Sequence, residues 1–178
     1  MTRKIISAVV ALFAAAVLLV SCGEPANYIS LISTESPSHT AHAEFELNIR
    51  ELDGAEITAE LHQDGRTTTA QMLTISMLAE KLSVTLTPNK LDDSGKIDSV
   101  STECTADNIT GNAMFQFTEV NNWAFTAGKA GKKIGVNADD KKILAALAFD
   151  TGSGVKTVDL DSINPDEYSC LILICANF

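Results

Sequence analysis

From Ala43 to Ile49 apolar and polar side chains alternate without a break: Ala43, Phe45, Leu47 and Ile49 take the odd positions, and Glu44, Glu46 and Asn48 the even ones. A helix would scatter these residues around its circumference, whereas an extended strand puts one set on each face. The segment can therefore hide its apolar set from water only as β-structure. The pattern returns at Ala55, Ile57, Ala59 and Leu61, with Glu56, Thr58, Glu60 and His62 facing the other way. Asp53 and Gly54 lie between the two runs, a pair that favours a tight hairpin turn. Asp64 and Gly65 supply a second such turn, after which residues 67–75 read as the third strand of a meander.

Further along, Leu82, Val84 and Leu86 alternate with Ser83, Thr85 and Thr87 until Pro88 stops the run. Phe115 and Phe117 pair with Trp123 and Phe125 across Asn121 and Asn122, which tolerate the positive φ of a hairpin turn, and this predicts the aromatic centre of the core. Two segments read both ways. Residues 70–81 continue the strand pattern or form a short helix. Residues 139–149 have the alanine content of a helix but alternate at Ile143, Ala145, Leu147 and Phe149, so strand is preferred. The run from Cys170 to Cys175 is apolar on both faces and predicts a central buried strand. The expected fold is mainly β, an antiparallel β-sandwich or small barrel of about eight strands with at most one short helix.

The N-terminus has a different layout. Arg3 and Lys4 precede an almost unbroken apolar run from Ile5 to Val20, with no acidic residue before Glu24, the arrangement of an export signal. The run closes on Leu19, Val20, Ser21 and Cys22, which resembles the lipobox of bacterial lipoproteins. The resemblance covers these first 22 residues alone. It implies cleavage between Ser21 and Cys22 and acylation of the Cys22 thiol, and Gly23, in place of the retaining Asp of enteric lipoproteins, implies the outer membrane in a cell that has one. The alternative is an uncleaved membrane helix, since a run of 16 residues approaches the roughly 17 needed to cross a bilayer. Residues 1–21 are thus expected as a lipoprotein signal peptide. Residues 22–40, with Pro25, Pro37 and a high Ser and Thr content, are expected as a lipidated tether, and 41–178 as a single β-rich domain.

Loss of residues 1–21, which hold two basic and no acidic residues, would take the formal charge from −10 to −12. A chain so acidic is repelled by nucleic acid and by anionic lipid, so the expected membrane partner is reached through lipid on Cys22 and no nucleic acid is expected. In an oxidising compartment Cys104, Cys170 and Cys175 are candidates for a disulfide. Cys170 and Cys175 point to opposite faces of a regular strand, which leaves Cys104 with one of them as the expected pair; the alternative is three buried, reduced thiols.

Several smaller motifs have structural readings beside their chemical ones. Phe149, Asp150, Thr151, Gly152 and Ser153 resemble the signature loop of aspartic proteases, whose two aspartates share a proton. Here the motif occurs once and 28 residues follow Asp150, too few for the rest of such a subunit, so a turn is expected. His39, His42 and Glu44, with His62 on a neighbouring strand, offer ligands to zinc, but their spacing matches no strong ligand pattern and no metal or cofactor is assigned. Asp92, Asp93, Ser94 and Gly95 resemble a calcium loop whose first ligand position is taken by Lys90. Lys129, Lys132, Lys133, Lys141 and Lys142 are expected as a solvated basic cluster. Apolar Phe178, Ile174 and Ile172 resemble the end of an outer-membrane barrel, a reading excluded by Glu and Thr on the outward faces of the earlier strands. No grouping of nucleophile, base and orienting carboxylate can be assembled from these residues. The expected function is therefore that of a non-enzymatic envelope lipoprotein whose β-rich domain binds a protein or small ligand. A surface hydrolase using paired carboxylates and a purely structural envelope protein are the alternatives.

Overall fold

A computed structural model describes residues 24–36, 39–90, 96–152, 154–155 and 157–178; the expected signal peptide, Cys22 and the loop containing Asp92 and Asp93 lie outside them. Eleven strands run through the described residues: β1 (Tyr28–Glu35), β2 (Ala41–Asn48), β3 (Ala55–Gln63), β4 (Arg66–Ile75), β5 (Lys81–Lys90), β6 (Ile97–Ala106), β7 (Ile109–Val120), β8 (Asn122–Ala127), β9 (Lys133–Gly135), β10 (Lys141–Asp150) and β11 (Cys170–Asn177). They form two antiparallel sheets. The first has the order β7-β6-β5-β2-β1-β9, the second β4-β3-β11-β10-β8. The sheets face each other as a sandwich and do not close into a barrel. A 3₁₀ turn at Pro165–Glu167 is the sole helical element among the described residues.

Period-two patterning sets the inward faces as expected. Ala43, Phe45 and Leu47 of β2, Leu82, Val84 and Leu86 of β5, and Ile57, Ala59 and Leu61 of β3 all enter one core. Asp64 and Gly65 close the β3–β4 hairpin with φ of 51° and 67°, the left-handed pair that such a two-residue loop requires. Residues 70–81 are not helical: β4 runs to Ile75, and a loop leads to β5 at Lys81.

Four expectations are corrected by long-range pairing. Residues 28–35 of the expected tether form β1, which hydrogen-bonds to β2 and β9 and buries Ile29 and Leu31, so the domain begins well before residue 41. Ser33 and Thr34 of this strand are partly or fully exposed and the polar Ser30 is buried with the apolar residues, so no simple alternation marks it as a strand. The Asp53–Gly54 turn does not close a hairpin, because β2 pairs with β1 and β5 in the first sheet whereas β3 pairs with β4 and β11 in the second. Here Gly54, at φ +114°, carries the chain between sheets. Likewise β7 and β8 belong to different sheets, with Asn121 as the step between them. The aromatic contact in the core is instead Phe117 with Phe149, ring centres 4.9 Å apart. The three cysteines are free and fully buried: Cys104 lies on β6 of one sheet, Cys170 and Cys175 on β11 of the other.

Strands β10 and β11 of the second sheet are apolar on both sides because they are covered on both sides. Cys170, Ile172 and Ile174 of β11 face the core between the sheets, while Leu171, Leu173 and Cys175 face a second apolar cluster with Ala146 and Ala148. Val155, Val158, Leu160, Ile163 and Tyr168, from the connection between β10 and β11, lie over that outer face. This third layer is what the two-faced apolarity of β11 demanded.

Candidate functional site

A cleft of about 470 Å³ opens where the edge strands β8 and β9 part, within the range of small-molecule sites of about 300–1,000 Å³. Ile29 and Leu31 of β1 and Phe45 of β2 form its wall on the first sheet. On the second sheet a β-bulge between Ile143 and Ala145 breaks the alternation. It turns Leu144 into the core and leaves Ile143 against the outer cover, so both line the cleft and the expected single face from Ile143 to Phe149 is interrupted at its first residue. Val158 and Leu160 of the cover complete the apolar wall.

The mouth is polar and largely basic. Lys129, Lys132, Lys141 and Lys142 surround it with Asp159 and Asp161. Two of the lysines are committed elsewhere: Lys141 Nζ lies 2.7 Å from Glu60 Oε1, and Lys142 Nζ 3.2 Å from Asp140 Oδ2. Lys129 acts on Asp159 only through its field, and Lys132 has no ion pair among the described residues. Asp159 accepts from the backbone N–H of Asp161 at 3.0 Å and from Ser162 Oγ at 2.9 Å. These donors hold its carboxyl below the usual carboxylate range. A carboxylate so held is a poor proton donor, the opposite of what the acid of a paired-carboxylate hydrolase needs. Thr126 Oγ1, also on the lining, is buried without a hydrogen-bond partner among the described residues. An orphan buried hydroxyl is costly and rare, and it points to a polar group that completes it.

Of the residues singled out from sequence, four lysines of the basic cluster meet at this mouth, and the others do not converge with them. His42 and His62 lie on β2 and β3 in different sheets, and His39 is exposed just before β2. His42 shares a 3.0 Å hydrogen bond with Thr85, and its Nε2 is 3.9 Å from Glu44. His62 does the same with Thr67 at 3.0 Å; its Nε2 is 3.5 Å from Glu60, too long for a hydrogen bond, and is otherwise orphaned. Among the described residues no group of three metal-ligating side chains forms. Asp150 caps a turn, accepting from the Gly152 N–H at 3.0 Å and from Ser169 Oγ at 3.2 Å. The basic cluster is split: Lys133 leaves the cleft to cover the Tyr28 ring at 4.4 Å and to pair with Glu24, while the other four line the mouth. The cover was the missed element, although the spacing of Val155, Val158, Leu160 and Ile163 in an otherwise polar connection signals a segment that packs.

No helix among the described residues is long and apolar enough to cross a membrane. Comparison with protein-family models, curated proteins and solved structures finds no match.

Proposed function

We propose that this chain is a cell-envelope lipoprotein, held to a membrane by lipid on Cys22, whose sandwich binds a small amphipathic anion in the cleft between β8 and β9. Localisation at the outer membrane, in a cell that has one, follows from Gly23. The observation that carries the ligand reading is the pairing of an apolar interior with Lys132, Lys129 and the orphan Thr126 hydroxyl at the mouth. In a chain of net charge −10 with only 13 basic residues, Lys129 and Lys132, the two lysines at this opening that form no ion pair among the described residues, favour a negative group there. Ile29, Leu31, Phe45 and Leu144 offer no hydrogen bonds and suit a hydrocarbon tail. Three polar donors with an apolar run behind them describe a long-chain carboxylate better than a sugar or a nucleotide.

The anchor is tested by intact mass and detergent partition of the full chain made in a lipoprotein-competent bacterium. The native form gains acyl mass and enters the detergent phase, and the Cys22→Ala form does neither; identical behaviour of the two removes the anchor. The ligand is tested on the Cys22→Ala form, so that no attached lipid competes, with palmitate and hexadecanol as probes. Palmitate displaces an apolar fluorophore from the protein, and Lys132→Glu weakens palmitate about tenfold, or ~1.4 kcal/mol, while leaving hexadecanol unchanged. Equal loss for both probes, or no displacement by palmitate, overturns the assignment.

A further inference from the structure

We propose that the domain rests directly on the bilayer, with the β4–β5 loop at Met77 and Leu78 inserted among the lipids. The proposal builds on acylation of Cys22 and goes beyond it, because a lipid on a long tether would leave the domain free of the surface.

The first support is how little chain separates Cys22 from the folded body. β1 begins at Tyr28, and the residues before it are pinned. Asn48 Nδ2 donates to the Ala26 carbonyl at 3.1 Å, Glu51 N–H to Asn27 Oδ1 at 3.1 Å, and Val136 N–H to the Asn27 carbonyl at 3.1 Å. Glu24 is paired with Lys133. Gly23 alone stands between Cys22 and Glu24, and at a maximum of about 3.6 Å per residue the acylated cysteine lies within about 7 Å of Glu24. A lipid seated in the hydrocarbon therefore brings this end of the sandwich to the headgroups.

The second support is what that end presents. The hydrogen bonds above tie the start of the chain to residues 48–51, and Leu47 N–H donates to the Glu80 carbonyl at 2.9 Å while Arg50 pairs with Glu80 at 3.1 Å. The β4–β5 loop, which Glu80 terminates, is thus at the same end as Glu24. At this loop Leu78 is 72 % exposed and Met77 46 %, and at the adjacent start of β7 Ile109 is 58 % exposed. These are three of the six large apolar side chains left exposed among the described residues, and the other three lie along strands. Exposed apolar groups gathered at one end of an otherwise acidic protein mark a surface made for an apolar partner. The covalent reach of Cys22 places the bilayer there.

Charge does not oppose contact with a neutral bilayer. Lys81, Arg50 and Lys133 stand at this end with Glu24, Glu51, Asp53, Glu80 and Asp107, a mixed surface with an acidic excess that only an anionic lipid would repel. Insertion through Leu78 and Met77 should accordingly need no anionic lipid, and neutral phosphatidylcholine is the right test surface.

The chain has a single tryptophan, Trp123, near the start of β8 opposite Phe149 and so at the far end of the sandwich. The experiment compares the native full chain with Leu78→Trp, both made in a lipoprotein-competent bacterium and reconstituted into phosphatidylcholine vesicles with brominated acyl chains. Leu78 is a loop residue with most of its surface in water, so the substitution leaves the core intact. The added emission from residue 78 is expected to be quenched and blue-shifted, while Trp123 in the native chain keeps its intensity. Protein that carries acyl mass and sediments with vesicles, but whose Trp at 78 is no more quenched than Trp123, overturns the docking and leaves the anchor standing. Protein that gains no acyl mass and stays in solution overturns the anchor and the docking with it.

Discussion

Gly111→Ala is expected to destabilise the folded protein by about 3 kcal/mol, read as a fall in the denaturant midpoint with little change in its slope. Gly111 lies near the start of β7, where that edge of the first sheet meets β4 of the second. A Cβ there would stand 1.8 Å from the Met72 carbonyl oxygen and 2.4 Å from its carbon. Both atoms are backbone, so no rotamer change relieves the overlap; either β4 or β7 must move, and the core between them opens. Gly65→Ala is the control. Gly65 has φ +67° but nothing within 4 Å of its added Cβ, so it carries only the left-handed backbone strain of about 1–2 kcal/mol. Equal losses for the two variants would mean that the β4–β7 approach does not limit packing.

The second large effect is alkaline instability. Cys104, Cys170 and Cys175 are all fully buried, and burial pushes each thiol from an ordinary value of 9.0 up to about 12. Nearby carboxylates add to the rise: Glu103 for Cys104, Asp64 for Cys170 and Glu60 for Cys175. The folded pKa lies above the unfolded one, so the stability is complete below pH 9 and is lost as pH climbs towards 12. Over that window the unfolded chain has given up protons that the folded chain retains. Each thiol then lowers the unfolding free energy by about 1.4 kcal/mol per pH unit, and the three together remove about 4 kcal/mol between pH 8 and pH 10. That is a large part of the 5–15 kcal/mol typical of a domain. The ammonium groups of Lys133 and Lys141 are also raised, each chiefly by its carboxylate partner, and add a loss of the same sign only nearer their ordinary value of 10.5. Unfolding free energies at pH 8 and pH 10 check this, and the difference should shrink by about a third for each cysteine replaced with alanine. A pH dependence untouched by all three replacements would place its origin elsewhere.

The candidate site was only partly legible in advance. Lys129, Lys132, Lys141 and Lys142 stood out as a basic cluster, yet they are separated along the chain by β9, and only the folding of β9 onto β1 brings them to one opening. Thr126 carried no signal, because a threonine on an edge strand is ordinary until its hydroxyl is seen to be buried without a partner. The zinc candidates failed for a related reason: His42 and His62 were placed on neighbouring strands by their closeness in sequence, whereas β2 and β3 diverge into different sheets.

What the sequence by itself determined was the strand and its faces. Two-residue alternation is a local property, and it told correctly which side of β2, β3 and β5 would be buried; the two-sided apolarity of β11 likewise foretold a central strand covered on both sides. The Asp64–Gly65 hairpin was legible too, since its left-handed backbone is written in two adjacent residues. Tertiary structure decided which strands are neighbours. Asp53–Gly54 and Asn121–Asn122 look like hairpin turns because such residues favour a reversal of the chain, but a reversal does not specify whether the next strand rejoins its own sheet or crosses to the facing one. That choice rests on burial summed over strands distant in sequence. The same sum drew residues 28–35 out of the expected tether, where Ile29 and Leu31 gain more from the core than their polar neighbours lose by pairing between β2 and β9.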